Sequence, residues 1–240
     1  MATGFGSVCI VVGVPAAGRP TTVRWAINLA AQVYPLNTAV EFCCPERKDG
    51  RVLAEFDSEI DVGDLRDYIV SYALSRRAPY IWFLDDDVLP PNNAVQRLMY
   101  AIRKNPQAMV CAGIYYDKRS DIPSPIVFKA GGQGPNWDWK QNEVFEVEGP
   151  NGFIGTGCML VKTEIFQHIR QPWFKTLEYP QRVTDDAYFC FKVHEAGFKV
   201  LGHGGVLCGH FDWQTGKGYW PPGSIATEKH VTQQPVELGT

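Results

Sequence analysis

Residues 80–88 read YIWFLDDDV, an apolar run that ends in three consecutive carboxylates, Asp85, Asp86 and Asp87. A run this apolar predicts a strand buried on both faces, as in a parallel sheet covered by helices. Open α/β sheets bind ligands at the carboxyl ends of such strands. Adjacent carboxylates repel one another unless a positive group lies among them, and their oxygens suit Mg²⁺ or Mn²⁺ carrying a phosphate. Capping of the next helix explains one Asp but not three.

The composition is that of an ordinary globular protein. The chain has 240 residues, 45% of them apolar and 20% charged, with a net charge of −3. The length suits one large domain or two small ones, and the sequence shows no linker that would divide it. The charge argues against a general nucleic-acid binder. The seven cysteines form no CxxC pair, which indicates free thiols in a reducing compartment. Neither a signal peptide nor an apolar run of about 20 residues is present, so we expect a cytoplasmic protein.

The chain opens with a β-α-β pattern. Val8 to Pro15 predicts a buried strand, Thr21 or Thr22 caps a helix, and Thr38 to Cys43 predicts a second, parallel strand. No GxGxxG follows the first strand, which excludes a dinucleotide fingerprint. The spacing predicts an inward helix face of Val23, Ala26, Ile27, Ala30, Ala31 and Tyr34.

Two more amphipathic helices flank the acidic run. Residues 61–75 form the first, and Arg66 on this helix either pairs with the acidic cluster or a phosphate, or is simply solvated. Ala108 to Tyr116 predicts a further strand after the second helix. The inward residues are Val62, Leu65, Ile69 and Ala73 in the first helix, and Val95, Leu98, Met99 and Ile102 in the second.

The segment 117–148 is long, rich in Pro, Gly and Trp, and weakly periodic, which is typical of a functional loop. Trp137 and Trp139 flank Asp138 in it. Aromatic faces stack on the C–H groups of sugars, but the same side chains equally suit hydrophobic filling of a loop. Both interpretations stay open.

The carboxyl-terminal third holds a Gly-rich turn, a second acidic pair and a lone histidine. Gly155-Thr156-Gly157 runs into a strand, and its glycines allow close approach of the backbone to a ligand, or simply form a tight turn. Thr184 caps a helix that begins with Asp185-Asp186 and ends at Gly197. Lys199 to Leu207 predicts the last strand, which leads to His210. An aromatic flap follows, with Trp213, Tyr219 and Trp220.

In this order the motifs resemble the GT-A glycosyltransferases, especially the family-2-like bacterial and phage enzymes. The matching stretches are Phe83-Leu84-Asp85-Asp86-Asp87-Val88, Ala112-Gly113-Ile114-Tyr115-Tyr116, Gly155-Thr156-Gly157-Cys158-Met159-Leu160, Asp185-Asp186-Ala187-Tyr188-Phe189-Cys190, Glu195-Ala196-Gly197-Phe198-Lys199-Val200 and Cys208-Gly209-His210. The resemblance implies an α/β fold. We expect one GT-A (Rossmann-like) domain over residues 1–211, with a mixed, mostly parallel sheet flanked by helices, and a flap or tail over residues 212–240.

The resemblance also implies roles for individual residues. Asp85, Asp87 and His210 would hold Mn²⁺ or Mg²⁺, Asp186 would be the catalytic base, and Asp185 would orient the acceptor. The expected donor-binding residues are Pro15, Arg66, Asp85, Asp86, Gly155, Thr156 and Gly157. The expected acceptor-binding residues are Trp137, Trp139, Asp185 and Trp220.

The function implied is metal-dependent, inverting transfer of a sugar from a nucleotide-diphosphate sugar to a hydroxyl. A UDP-sugar is the favoured donor, but Cys43-Cys44-Pro45-Glu46 departs from the acidic-Asp-Gly-Ser stretch that contacts the nucleotide in the family. The acceptor stays open among glycan, lipid-linked sugar, protein, small molecule and hydroxymethylated DNA. The alternatives are a metal-dependent nucleotidyltransferase, for which Ala17-Gly18-Arg19 is a thin phosphate loop, and a non-catalytic nucleotide-sugar-binding module.

Overall fold

The computed structural model describes residues 8–16, 21–45, 62–118, 123–129, 135–136, 138–149, 151–178, 180, 182–212 and 215–221. The strands are β1 (Val8–Gly13), β2 (Thr38–Cys43), β3 (Tyr80–Leu84), β4 (Val88–Leu89), β5 (Ala108–Ile114), β6 (Val127–Phe128), β7 (Val144–Glu146), β8 (Phe153–Ile154), β9 (Cys158–Lys162), β10 (Lys199–Leu207), β11 (Gly209–Phe211) and β12 (Gly218–Tyr219). The helices are α1 (Val23–Ala30), α2 (Val62–Ser75), α3 (Ala94–Lys104), a 3₁₀ helix (Thr163–Gln167) and α4 (Asp185–Glu195).

A seven-stranded mixed sheet is the centre of the fold, with the strand order β2-β1-β3-β9-β5-β10-β7. β1 pairs in parallel with β2 and β3, and β5 pairs in parallel with β10. β9 runs antiparallel between β3 and β5, and β7 runs antiparallel at the edge beside β10. Five strands therefore point in one direction and two in the other. The expected α/β class and mostly parallel sheet are confirmed.

Helices cover both faces of this sheet. Alternate residues of β3 point to opposite faces, so Ile81 and Phe83 join a core with α2, α4 and the 3₁₀ helix, while Trp82 and Leu84 join a core with α1 and α3. All four side chains are fully buried. The predicted double burial of the acidic strand is confirmed, and this burial fixes where its carboxyl end lies.

The prediction for α3 is confirmed and the prediction for α1 is wrong. Val95, Leu98, Met99 and Ile102 are buried, whereas Val23 and Ile27 of α1 are 76% and 64% exposed. The buried residue of α1 is Trp25, whose indole N–H donates to the Asp85 carbonyl. This large ring turns the helix, and α1 ends at Ala30, so the predicted face does not extend to Tyr34.

Other boundaries differ less. α2 buries Ile69 and Ala73 as predicted, but it also buries Arg66 and leaves Val62 exposed. β5 ends at Ile114, short of the predicted Tyr116, while β10 has the predicted bounds. Asp61, at the expected start of α2, lies outside the described residues.

A small second sheet extends the acidic end of β3. β4 follows the three aspartates directly, and β11 pairs with it antiparallel, with His210 opposite Val88. β12 adds to the other side of β11, with Tyr219 opposite His210. This pairing brings His210 beside the acidic turn. The division at residue 212 stays a prediction, and residues 213–214 and 222–240 of the expected flap or tail lie outside the described part. No helix described here is both long enough and apolar enough to span a bilayer.

Candidate active site

The turn after β3 sends neighbouring aspartates in different directions. The Asp85 N–H donates to the Gly157 carbonyl at 3.0 Å, and the Val88 N–H donates back to the Asp85 carbonyl at 3.1 Å. The Thr21 hydroxyl donates to the Asp86 carbonyl at 2.8 Å, which ties the turn to the start of α1. Two hydrogen bonds between backbone groups and one from the Thr21 side chain therefore hold this turn. Asp86 and Asp87 are buried, while the Asp85 side chain keeps 22% of its surface exposed.

Arg66 joins the two acidic motifs. Its Nη2 lies 2.9 Å from Asp85 Oδ1, and its Nη1 contacts Asp185 Oδ2. The guanidinium side chain is only 4% exposed, and among the described residues its Nε has no hydrogen-bond partner. Burial lowers the pKa of Arg66, but Asp185 and Asp85 more than offset this, so its pKa is raised. Arg66, Asp85 and Asp185 are called the arginine bridge below.

Asp186 follows the bridge on the first turn of α4, as predicted. Its Oδ1 accepts hydrogen bonds from the Thr184 hydroxyl and from the Ala187 N–H. Thr184 precedes the helix in extended conformation, but its side chain does not cap the helix backbone. Burial, and then repulsion from Asp185, raises the pKa of Asp186 from 3.8 to about 6. Because both hydrogen bonds end on Oδ1, Oδ2 is the atom suited to take up a proton.

Asp87 lies in a separate cluster with two basic side chains. Lys118 Nζ is 2.5 Å from Asp87 Oδ2, and His210 Nε2 is 3.4 Å from Asp87 Oδ1. His210 Nδ1 is 2.6 Å from the Tyr116 carbonyl, and because a carbonyl only accepts, Nδ1 carries a proton. Nε2 is thus the nitrogen that faces the carboxylate. Asp87, Lys118 and His210 are called the Asp87 cluster below.

The Asp87 cluster fits a divalent cation in its donor chemistry. In neutral His210, the Nε2 lone pair and the Asp87 carboxylate face each other, an arrangement that needs a cation or a proton between them. Metal-binding histidines usually donate their other ring N–H to a carbonyl or carboxylate, as His210 does to Tyr116. However, Asp85 contacts Arg66 instead, and within the described ranges no three His, Cys, Asp or Glu side chains converge as ready metal ligands.

Tyr115 fills the space at the Gly-rich turn. A Cβ on Gly155 would lie 2.3 Å from the Tyr115 hydroxyl, and one on Gly157 would lie 2.8 Å from its ring. The Gly157 N–H donates to that hydroxyl at 3.1 Å, and Thr156 between them is only 1% exposed. The glycines thus admit the ring of Tyr115. Their predicted donor contacts stay a prediction.

The remaining predicted residues are spread over the molecule. Pro15 is buried just after β1. Trp139 stacks on Phe145 of the edge strand β7, with ring centroids 6.3 Å apart, as hydrophobic filling predicts. Trp220 packs against Gly209, next to His210, because a Cβ on that glycine would meet its ring at 2.1 Å. Trp137 lies outside the described residues. Of the predicted acceptor-binding aromatics described, only Trp220 lies beside the acidic turn.

Two site residues were missed from the sequence, Lys118 and Tyr115. The Tyr115 ring packs edge-on against His210, with centroids 5.1 Å apart. Burial, and then the charges of Asp85 and Asp186, raises its pKa well above the ordinary value. A signal for Lys118 existed, because it is the first basic residue after β5 and the three aspartates required positive neighbours.

Comparisons with known proteins show which proteins the chain resembles. Residues 62–170 match the sequence model described as Glycosyl transferase family 2. A197 from STIV is similar in structure, with 17% identity, a TM-score of 0.56, and coverage of 90% of this chain and 95% of that one. TarS from S. aureus is 14% identical with a TM-score of 0.47, covering 81% of this chain and 34% of TarS. A search of curated proteins finds no match.

Residues 62–170 are thus similar to family 2 glycosyltransferases, and the chain has a mixed-sheet α/β fold consistent with the GT-A fold.

Proposed function

We propose that the protein transfers a sugar from a nucleotide-diphosphate sugar to an acceptor hydroxyl, with inversion at the anomeric carbon. The observation that carries this proposal is the meeting of two acidic motifs through one buried arginine. Asp85 and Asp185 come from opposite halves of the chain, and both contact Arg66. This contact places the carboxyl end of β3, where a donor diphosphate would bind, beside the helix that carries a candidate base.

Asp186 is the proposed base. In an inverting displacement the acceptor hydroxyl loses its proton as its oxygen bonds to the anomeric carbon, and the bond to the diphosphate breaks. A base whose pKa lies near the working pH is best suited to accept that proton. The pKa of about 6 leaves Asp186 mostly ionised at neutral pH while keeping it a stronger base than an ordinary aspartate.

Asp185 lies next to Asp186 in the first turn of α4, and its proposed role is to position the acceptor. Its carboxylate is held by Arg66, and its charge raises the pKa of Asp186. The proposed role in orienting the acceptor therefore falls to whatever part of Asp185 remains exposed, since its side chain is 14% accessible. Arg66 in turn keeps Asp85 and Asp185 from repelling each other across the site.

Asp87 and His210 are the proposed protein ligands of the metal. A divalent cation such as Mn²⁺ or Mg²⁺, when bound there, supplies positive charge against the leaving diphosphate. Asp85 was expected as a third metal ligand. Because its carboxylate accepts a hydrogen bond from Arg66, we assign it to binding of the nucleotide-sugar donor instead. His210 is oriented for its role by the Tyr116 carbonyl.

The alternatives differ in what they require of Asp186. A non-catalytic binding module needs no base, and a nucleotidyltransferase would rely on a phosphate loop after the first strand. The candidate for that loop, Ala17-Gly18-Arg19, lies outside the described residues. The half-buried Asp186 carboxylate, with its raised pKa at the start of α4, favours a catalytic role over a non-catalytic binding module.

The test is a panel of UDP-, GDP-, dTDP- and CMP-linked sugars, assayed for hydrolysis and for transfer with Mn²⁺ present and after its removal with EDTA. We expect turnover of one donor that EDTA abolishes and Mn²⁺ or Mg²⁺ restores. In Asp186→Asn, turnover falls about 100- to 10,000-fold while donor binding persists, because only proton transfer is lost.

The matched control is Asp64→Asn, which removes an exposed carboxylate from the first turn of α2. Its turnover should equal that of the wild type. Full turnover by the metal-free protein contradicts the metal assignment. An Asp186→Asn variant as active as the wild type contradicts the inverting mechanism built on this residue.

A further inference from the structure

Lys118 holds a position that the proposed chemistry leaves without a role. Its side chain is only 18% exposed, and its ammonium lies 2.5 Å from Asp87 Oδ2. The contact joins two loops that are distant in sequence, because Lys118 follows β5 and Asp87 follows β3. A charge-assisted contact of this length between largely buried groups is a built feature of the site, unlike an ion pair on the open surface.

The Lys118 ammonium contacts the Asp87 carboxylate that a metal would need as a ligand. Asp87 presents Oδ1 to His210 and Oδ2 to Lys118, so both oxygens face groups that can be positive. A divalent cation bound by Asp87 and His210 would lie next to the ammonium, and like charges this close repel. Lys118 and a metal therefore compete for Asp87, as long as no other anion is present.

A bound diphosphate changes this balance. Its oxygens carry several negative charges and accept hydrogen bonds from an ammonium as readily as a carboxylate does. Lysine also has a flexible four-carbon stem and three donor hydrogens, so Nζ can exchange partners over a few ångströms without moving the backbone. A diphosphate bound at the carboxyl end of β3 would lie in the neighbourhood of Asp87.

We propose that Lys118 is a diphosphate-binding residue that passes from Asp87 to the donor when the metal binds. The inference rests on the proposed function, since it takes the nucleoside diphosphate as the ligand. Lys118 neutralises Asp87 before the donor arrives, and it shares the charge of the leaving diphosphate afterwards. Metal and diphosphate consequently bind with positive coupling, because each relieves the repulsion or the lost contact that the other creates.

The test measures binding by calorimetry and needs no turnover. The probes are MnCl₂ alone, and UDP, GDP and dTDP in the presence and absence of MnCl₂. In Lys118→Met, Mn²⁺ alone should bind about tenfold more tightly, because its competitor is gone, while the nucleoside diphosphate with Mn²⁺ should bind about tenfold more weakly. These opposite changes are the signature of exchange. Lys118→Arg, which keeps the charge, should restore much of the diphosphate affinity.

Lys129→Met is the matched control, since Lys129 is 58% exposed and its Nζ lies 3.9 Å from Asp138, whose side chain is 92% exposed. It changes the net charge equally and should alter neither affinity. If Lys118→Met weakens Mn²⁺ and diphosphate binding together, Lys118 merely holds Asp87 in place, and the inference fails while the transferase proposal stands. If the wild-type chain binds Mn²⁺ but none of the three diphosphates, both proposals are overturned.

Discussion

The arginine bridge and the Asp87 cluster contain aspartates only two residues apart, Asp85 and Asp87, yet they neutralise these aspartates in opposite ways. Arg66 reaches Asp85 from inside the fold, with a side chain that is 4% exposed and two carboxylates to bind. Lys118 and His210 reach Asp87 from the loop after β5 and from the short strand β11. The first arrangement is permanent, because a buried guanidinium cannot leave without stranding two charges. The second arrangement, the Asp87 cluster, consists of Lys118 and His210, whose side chains can change partners.

This difference teaches how one acidic turn serves both structure and chemistry. The bridge joins the carboxyl end of β3 to the start of α4, so the proposed base would already be in place when a substrate arrives. In the proposed exchange, Lys118 would neutralise Asp87 only until a metal and a diphosphate bind. A site that was rigid throughout would bind a diphosphate poorly, and one that was loose throughout would misplace Asp186.

The strongest test of the comparison is Arg66→Met. Without the guanidinium, Asp85 and Asp185 face each other largely buried, so we expect the free energy of unfolding to fall by about 3 kcal/mol. Urea denaturation followed by tryptophan fluorescence measures this loss. The control is Arg103→Met in the last turn of α3, where the side chain is exposed and the change should be within about 0.5 kcal/mol. A loss below 1 kcal/mol for Arg66→Met would show that the bridge does not hold the fold.

A second test sets the two aspartates against each other. Asp85→Asn weakens the bridge and should lower the free energy of unfolding by about 2 kcal/mol, the usual cost of losing a hydrogen bond to a charged group. Asp87→Asn should cost less, about 1 kcal/mol, since the amide oxygen can still accept a hydrogen bond from Lys118. It should instead weaken metal-dependent binding of the donor. Equal losses of stability in the same urea titrations would remove the distinction between the two regions.

The smallest expected effect is the pH dependence of stability that Asp186 contributes. Its pKa is raised from 3.8 to about 6 on folding, so the folded state binds the proton more tightly than the unfolded state. The stability from this group is fully present below pH 4 and is lost as the pH rises through 6. Asp186→Asn carries no charge, and we expect it to be more stable than the wild type by about 1 kcal/mol at pH 7.5. This is a part of the roughly 3 kcal/mol expected for a fully buried group, since Asp186 is only half-buried.

Urea titrations at pH 4 and pH 7.5 check this prediction. The difference between Asp186→Asn and the wild type should shrink towards zero at the lower pH. A wild-type protein that is the more stable of the two at pH 7.5 would show that the Asp186 carboxylate is not under repulsion. The same substitution in an Arg66→Met background would then separate the contribution of the bridge.

Patterns that depend on apolar spacing predicted much of the fold. The acidic strand, α3 and β10 follow from runs whose burial is decided by many residues at once. α1 failed because a single side chain, Trp25, decides its orientation through a hydrogen bond to Asp85. Spacing counts apolar residues equally, and it cannot weigh one large ring with a distant partner against several small ones.

The sequence predicted the acidic residues of the candidate site and His210 beside them, but it missed Lys118 and left the role of Arg66 open. Local sequence marks Asp85 and Asp186 because both lie at the ends of recognisable elements. The alternatives for Arg66 were equally open, since pairing with residues 19 and 119 positions away depends on the whole sheet order. The antiparallel β9 between β3 and β5 was likewise hidden, because a buried strand reads the same in either direction.

The position of β9 has a consequence for the order of folding. β3 pairs with β1 on one side, with Ile10 opposite Tyr80, and on the other side with β9, which follows later in the chain and places Leu84 opposite Cys158. Such long-range pairing forms late, because a long loop must close first. During synthesis the three aspartates therefore leave the ribosome well before Lys118, Asp185 and His210. Until then the aspartates are hydrated, and water stabilises the charges that Arg66 and Lys118 stabilise in the folded protein.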